Sequence, residues 1–255
     1  MNKINVNRRT LLAGLPAAMM MAGLPGNARA ANGNPFPKGF LWGAAISGHQ
    51  TEGNNSNSDI WLLEQLQPGP FMEKSGIACD FYNRYADDLA LAAGLGLNAF
   101  RFSLEWSRIE PEEGRFDDKA LDHYRRIAAT CREKGLTPAI TFNHFTTPVW
   151  FAGRGGWEVT GSADRFARFC ERAVKAVGDH AGIATTLNEP NLGRLLRVIL
   201  PPPIIADMGK AMQGGAALAG SDRFSAAQFG DQDAMLPNML EGHRKGGGAI
   251  KAGPG

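Results

Sequence analysis

Asn188 and Glu189 stand side by side where a short apolar run, Gly182 to Leu187, meets Pro190. Proline cannot donate to a strand ladder and biases the residue before it away from helix. The run therefore reads as a strand that ends by presenting an amide and a carboxyl group. In parallel α/β proteins that end of a strand is where chemistry is done. A capping or turn pair is the plainer reading of the two residues alone. The carboxyl group has the chemistry of a general acid, provided that burial or a neighbouring carboxylate keeps it protonated near neutral pH.

The segments upstream must place that pair. An apolar, small-residue run over 40–47 reads as a first strand. Tyr82, Tyr85, Leu89 and Ala92 then recur at helical spacing within 80–95. Over 99–106, Phe100, Phe102, Leu104 and Trp106 alternate with Arg101, Ser103 and Glu105, the two-residue period of a strand. A half-buried surface strand would give the same alternation; in a barrel the apolar set instead faces the helices and the polar set points inward. A helix is expected over 117–134 and a strand over 137–142, followed by the loop Asn143-His144-Phe145-Thr146-Thr147-Pro148. Ser162 reads as the N-cap of a helix whose apolar face is Phe166, Phe169, Cys170, Ala173, Val174 and Val177. Four alternations of strand and helix imply a parallel sheet with right-handed crossovers. That is half of an eightfold barrel or part of an open doubly wound sheet. No glycine-rich phosphate fingerprint follows the first strand, which argues against a dinucleotide site. Beyond about residue 192 the sequence reads as irregular, with a glycine-weakened helix over 236–252 and no fifth strand.

Composition adds exclusions. The chain has 255 residues, 44% hydrophobic and 20% charged, with a net charge of +2. Such a balance gives no reason to expect nucleic acid or a membrane surface as partner. Cys79, Cys131 and Cys170 are odd in number, lack metal-ligand spacing and fall in helix-like patterns, so they read as buried or free thiols. Residues 1–30 form a separate segment. Lys3, Arg8 and Arg9 precede the apolar stretch from Leu11 to Leu24, and Ala28-Arg29-Ala30 is a small-x-small cleavage site. The layout is that of a secretory signal, and Arg8-Arg9 resembles the twin-arginine export motif. A membrane anchor is the competing reading, but the stretch is short and holds Pro16. The expected mature chain, 31–255, is periplasmic or secreted, without a stable membrane anchor.

Four motifs in this order resemble glycoside hydrolase family 1, the β-glucosidase-like enzymes. They are Gly39-Phe40-Leu41-Trp42-Gly43 with Gln50-Thr51-Glu52-Gly53; Phe100-Arg101-Phe102-Ser103 with Trp106-Ser107-Arg108-Ile109; Asn143-His144-Phe145 with Pro148; and Thr186-Leu187-Asn188-Glu189-Pro190-Asn191. The resemblance covers about 36–191. It implies a (β/α)8 TIM barrel, of which about the first four βα units are present, and hydrolysis of β-linked glycosides with retention, without metal or cofactor. By the same resemblance Glu189 is the acid/base, Asn188 binds the hydroxyl beside the anomeric carbon, Gln50 and His144 hold other glycone hydroxyls, and Arg101 keeps the nucleophile ionised. Amide and imidazole groups suit hydroxyls because they donate and accept without net charge.

Retention requires a second carboxylate. The family's glutamate in a Thr-Glu-Asn-Gly-like motif is not found here, and Glu241, in Leu240-Glu241-Gly242, does not match it. Phe145 replaces a tryptophan of many relatives, and Asn143 and Thr146-Thr147 are also departures, which leaves substrate preference open. The expectation is a truncated or split family member that is poorly stable and inactive alone; in the split case a separately encoded second half would complete it. A non-catalytic sugar-binding protein, a nonfunctional fragment and a glycosyl transferase are the alternatives.

Overall fold

A four-stranded parallel sheet organises the described residues. A computed structural model of the chain describes residues 36–226 and 229–254. The export segment expected over 1–30 lies outside the described residues. Residues 36–40 belong to an N-terminal unit in which the Phe36 and Phe40 rings meet at 4.6 Å between centroids. From Leu41 onward the chain forms one unit.

The strands are β1 (Gly43–Ala45), β2 (Ala99–Ser103), β3 (Thr137–Asn143) and β4 (Ile183–Leu187), paired in the order β1-β2-β3-β4. Gly43 pairs with Ala99, Ser103 with Thr141, and Asn143 with Leu187. The crossovers carry α1 (Phe81–Gly94), α2 (Asp118–Glu133) and α3 (Ser162–Val177). Asp117 caps α2 by accepting from the Lys119 and Ala120 N–H groups at 2.8 and 3.2 Å. The core lies between sheet and helices. Phe100, Phe102, Leu104 and Trp106 are buried on the helix side, where Trp106 stacks on Phe169 at 5.0 Å. A buried ring of this size contributes about 3–5 kcal/mol relative to alanine. The other side of β2 carries Arg101 and Ser103, and Glu105 lies just beyond it, so the polar set of the alternation points inward.

Several sequence expectations need correction. The stretch beyond residue 192 is helical, not irregular: it contains α4 (Leu192–Ile199), α5 (Pro202–Ala219) and α6 (Gln232–Lys251). Two of the glycines of α6, Gly242 and Gly246, form its close approach to Trp157 and to α3. A Cβ on Gly242 would lie 2.8 Å from Trp157, and one on Gly246 2.9 Å from Phe166, so only glycine admits this approach. Ser162 is the first residue of α3 and not its cap. That position is held by Gly161 at φ +87°, a conformation that favours glycine. The second strand ends at Ser103, and Trp106 opens the helical turn Trp106–Ile109. Cys79 lies in a turn and is exposed, while Cys131 and Cys170 are buried in α2 and α3; all three are free thiols.

The sheet has two open edges among the described residues. All of β1 is exposed, as are Ile183 and Ala184 at the start of β4. No helix of the described residues is long and apolar enough to cross a membrane.

Candidate active site

The C-terminal ends of the four strands carry the side chains with chemical potential. After β1, the helical turn Gly48–Thr51 presents Gln50. Gln50 is exposed, and its Oε1 accepts from the Ser47 hydroxyl at 2.5 Å. After β3, His144 sits in a tight loop in which the Asn143 amide donates to the Thr146 carbonyl at 2.8 Å and Thr146 N–H donates to the His144 carbonyl at 2.9 Å. Burial, with Arg101 nearby, pushes the His144 imidazole down to about 4, so it is neutral at physiological pH. Its buried Nδ1 has no hydrogen-bond partner among the described residues. Gln50 and His144 line one cavity of about 360 Å³, together with Ser47, His49, Glu64 and Phe145. A polar, neutral pair beside an aromatic wall is suited to a sugar ring with its hydroxyls.

Arg101 and Asn188 form the next part of the site. Arg101 projects inward from β2 and donates from Nε to the Thr141 hydroxyl at 2.9 Å and from Nη2 to the Asn188 Oδ1 at 2.7 Å. Arg101 thus orients the amide expected to read a hydroxyl and does not pair with Glu52 or Glu105. The Asn188 N–H is itself tied to the Asn143 carbonyl at 2.9 Å. Glu189 follows at φ +45°, in the left-handed region that non-glycine residues rarely occupy. It is exposed, and its carbonyl accepts from Leu192 N–H at the start of α4. The buried setting expected of a general acid is not built by the described residues. Neither Asn188 nor Glu189 lines the cavity of Gln50 and His144. Glu241 lies on α6, partly exposed and paired with Arg244 at 2.6 Å.

Sequence reasoning missed the groups beneath these residues. The Glu105 carboxyl is fully buried and accepts from His49 N–H at 3.1 Å, from the Asn55 amide at 2.6 Å and from the Thr146 hydroxyl at 2.8 Å. Glu52, also buried, accepts from Arg108 Nε at 2.9 Å and from the Tyr124 hydroxyl at 3.0 Å. Burial raises Glu52 to about 7. It raises Glu105 to about 8, with the nearby Glu52 charge adding to the effect. Glu52 is paired directly with the Arg108 guanidinium, whereas the direct partners of Glu105 are neutral donors. The signal was available: Glu105 continues the inward polar set of the second strand. His49 bridges Glu64 at 3.1 Å, and Glu64 in turn accepts from Ser75.

A larger groove of about 470 Å³ lies elsewhere, between β4 and α6, lined by Ala184, Leu187, Met239, Leu240 and Ile250. It is mostly apolar and follows the open edge of β4.

A parallel sheet with helical crossovers, carrying amide, imidazole and carboxyl groups at its C-terminal ends, defines the α/β class in which strand ends make the active site. Comparison with known proteins agrees. The model of glycosyl hydrolase family 1 matches residues 32–235, and the chain belongs to that family. Beta-glucosidase A of Thermotoga maritima is 39% identical over 166 residues, which is 62% of this chain and 37% of that protein. The solved structure of a beta-glucosidase designated 1317 has a TM-score of 0.82 at 42% identity, over 84% of this chain and 53% of the other. That of the beta-glycosidase BGL167 has a TM-score of 0.81 at 48% identity, over 86% of this chain and 54% of the other. The chain therefore spans between about a third and about half of the length of these relatives.

Proposed function

We propose that this chain supplies the glycone-binding and acid/base half of a site that hydrolyses β-glucosides or related β-glycosides with retention. The observation that carries the reading is the cavity shared by Gln50 and neutral His144; Asn188 is oriented separately by Arg101. In the reaction Glu189 protonates the glycosidic oxygen, and a second carboxylate attacks the anomeric carbon from the opposite face. That carboxylate, and the burial that Glu189 needs, belong to the remainder of a (β/α)8 barrel closing on the open edges of β1 and β4. The groove beside β4 is an apolar seat for the next strand and helix. Binding is the first test. Calorimetry with 1-deoxynojirimycin is expected to register an interaction that His144→Ala weakens by about tenfold, the cost of one buried hydrogen bond to a ligand. Equal affinity in the variant removes His144 from the site.

We also infer that residues 1–30 direct export by the twin-arginine route. Mass spectrometry of the exported chain is expected to find its N-terminus near Ala31. Replacement of Arg8 and Arg9 by lysine is expected to leave the precursor uncleaved, and cleavage at the wild-type level would refute the route.

A further inference from the structure

We propose that Glu105 is a positioning residue: its single buried carboxyl group fixes the turn that carries Gln50 and the loop that carries His144 to the end of β2. The proposal rests on the β-glycoside-binding reading for its consequence, but not for its geometry.

Three observations support it. First, the carboxyl oxygens divide their work between neighbouring strand ends. Oε1 accepts from His49 N–H, in the turn that holds Gln50, while Oε2 accepts from Asn55 in the following segment and from Thr146 two residues beyond His144. One rigid group thus spans three consecutive loops, and the separation of Gln50 from His144 is set through it. Second, the contact has been given room. A Cβ on Gly48 would collide with the Glu105 carboxyl, and Gly48 N–H is held by the Ser103 hydroxyl at 2.7 Å. Third, the His144 loop does not rest in a relaxed backbone. Phe145 has φ +73°, a conformation that is unfavourable for a non-glycine residue and persists only where surrounding ties enforce it. Thr146, the next residue, is where Glu105 holds that loop. A second tie, from Asp59 to the Thr147 hydroxyl at 2.9 Å, keeps the segment attached when the first is cut.

Glutamine cannot take over this role fully. It offers one acceptor oxygen where Glu105 offers two, and the Asn55 amide and His49 N–H both donate. Valine at position 146 removes only the hydroxyl and preserves shape, whereas serine restores the hydroxyl. The test follows. Glu105→Ala, Thr146→Val and Thr146→Ser are compared with wild type by far-ultraviolet circular dichroism, by the NMR signals of the His144 ring and the Gln50 amide, and by calorimetry with 1-deoxynojirimycin. The expected result is that Thr146→Val shifts or broadens the His144 signals and weakens binding about fivefold, the loss of one hydrogen bond, and that Thr146→Ser returns both to wild type. Glu105→Ala, if folded, is expected to disturb the His144 and Gln50 signals together and to weaken binding by more than tenfold. If it does not fold, the Thr146 pair decides alone. Unchanged His144 signals in Thr146→Val overturn the positioning role. Wild-type protein that does not bind the iminosugar, with the NMR pattern as expected, refutes the glycoside reading and leaves the positioning role standing.

Discussion

Incubated with a nitrophenyl β-glucoside, the chain from Ala31 to Gly255 is expected to release nitrophenol no faster than buffer alone. Retaining hydrolysis needs two carboxyl groups roughly 5 Å apart, one acidic and one nucleophilic. The described residues leave Glu189 in solvent, and the carboxylates buried beneath the strand ends are already engaged. Glu52 is committed to Arg108 and Tyr124, and Glu105 to His49, Asn55 and Thr146. Glu64 is held by His49 and Ser75, and Glu110 by Trp106, Gly114 and Arg168. Arg101, placed to stabilise an anion, holds Thr141 and Asn188 through two of its five N–H groups. Adding a half barrel that bears the nucleophile is expected to restore turnover, because it would close over β4 and bury Glu189. In the restored enzyme Glu189→Gln is expected to lower kcat by about 10²–10⁴-fold for a poor leaving group, the usual range for general acid catalysis. The loss should be smaller for nitrophenol, which leaves without much protonation. Turnover by the chain alone that Glu189→Gln abolishes would refute this account outright.

The parts of the fold that were legible in the sequence share a physical feature: a period that belongs to one element. Phe100, Phe102 and Leu104 alternate because one side of β2 faces helices, and all three are buried. Phe166, Phe169, Cys170, Ala173, Val174 and Val177 recur at helical spacing because α3 buries that stripe, and each of them is buried. What was illegible depends on a partner far away in sequence. Gly242 and Gly246 weaken a helix in isolation, yet they exist so that α6 can reach Trp157 and Phe166. Glu105 looked like a polar residue on a strand, and nothing local announces that Asn55 and Thr146 converge on it. The site was legible as a set of residue types, and Arg101–Asn188 is a contact that the set contained. Its geometry was not, because the position of Glu189 relative to Gln50 and His144 depends on how far the barrel closes.

Replacing Arg108 by methionine is expected to cost about 3–5 kcal/mol at pH 8, because it leaves the buried Glu52 carboxylate without its cation. The cost should shrink as pH falls, and the sign follows from linkage. Burial raises Glu52 from an ordinary 4.5 to about 7, and Glu105 to about 8. Each keeps its proton in the folded chain over a range where the unfolded chain has lost it. The stability they contribute is complete below about pH 4.5 and is lost as pH rises through 7 to 8. His123, stacked on Tyr82 at 3.8 Å, and His144 work the other way. Burial holds both near 4 against an ordinary 6.5, so their contribution is complete above 6.5 and is lost as pH falls toward 4. Between 4.5 and 6.5 the two pairs oppose each other. Above 6.5 only the carboxylates titrate, and Glu105 alone should take about 2 kcal/mol from the wild-type protein by pH 8. In the Arg108→Met protein Glu52 binds its proton more tightly still, so the decline with pH steepens. Glu105→Gln carries no titrating proton and should flatten it. Urea unfolding followed by tryptophan fluorescence at pH 6.5 and pH 8 measures all three. A wild-type stability that rises over this interval would show that neither buried carboxyl group holds its proton above pH 6.5 in the folded chain, and an Arg108→Met cost that is the same at both pH values would show that Glu52 is ionised in the folded chain throughout it.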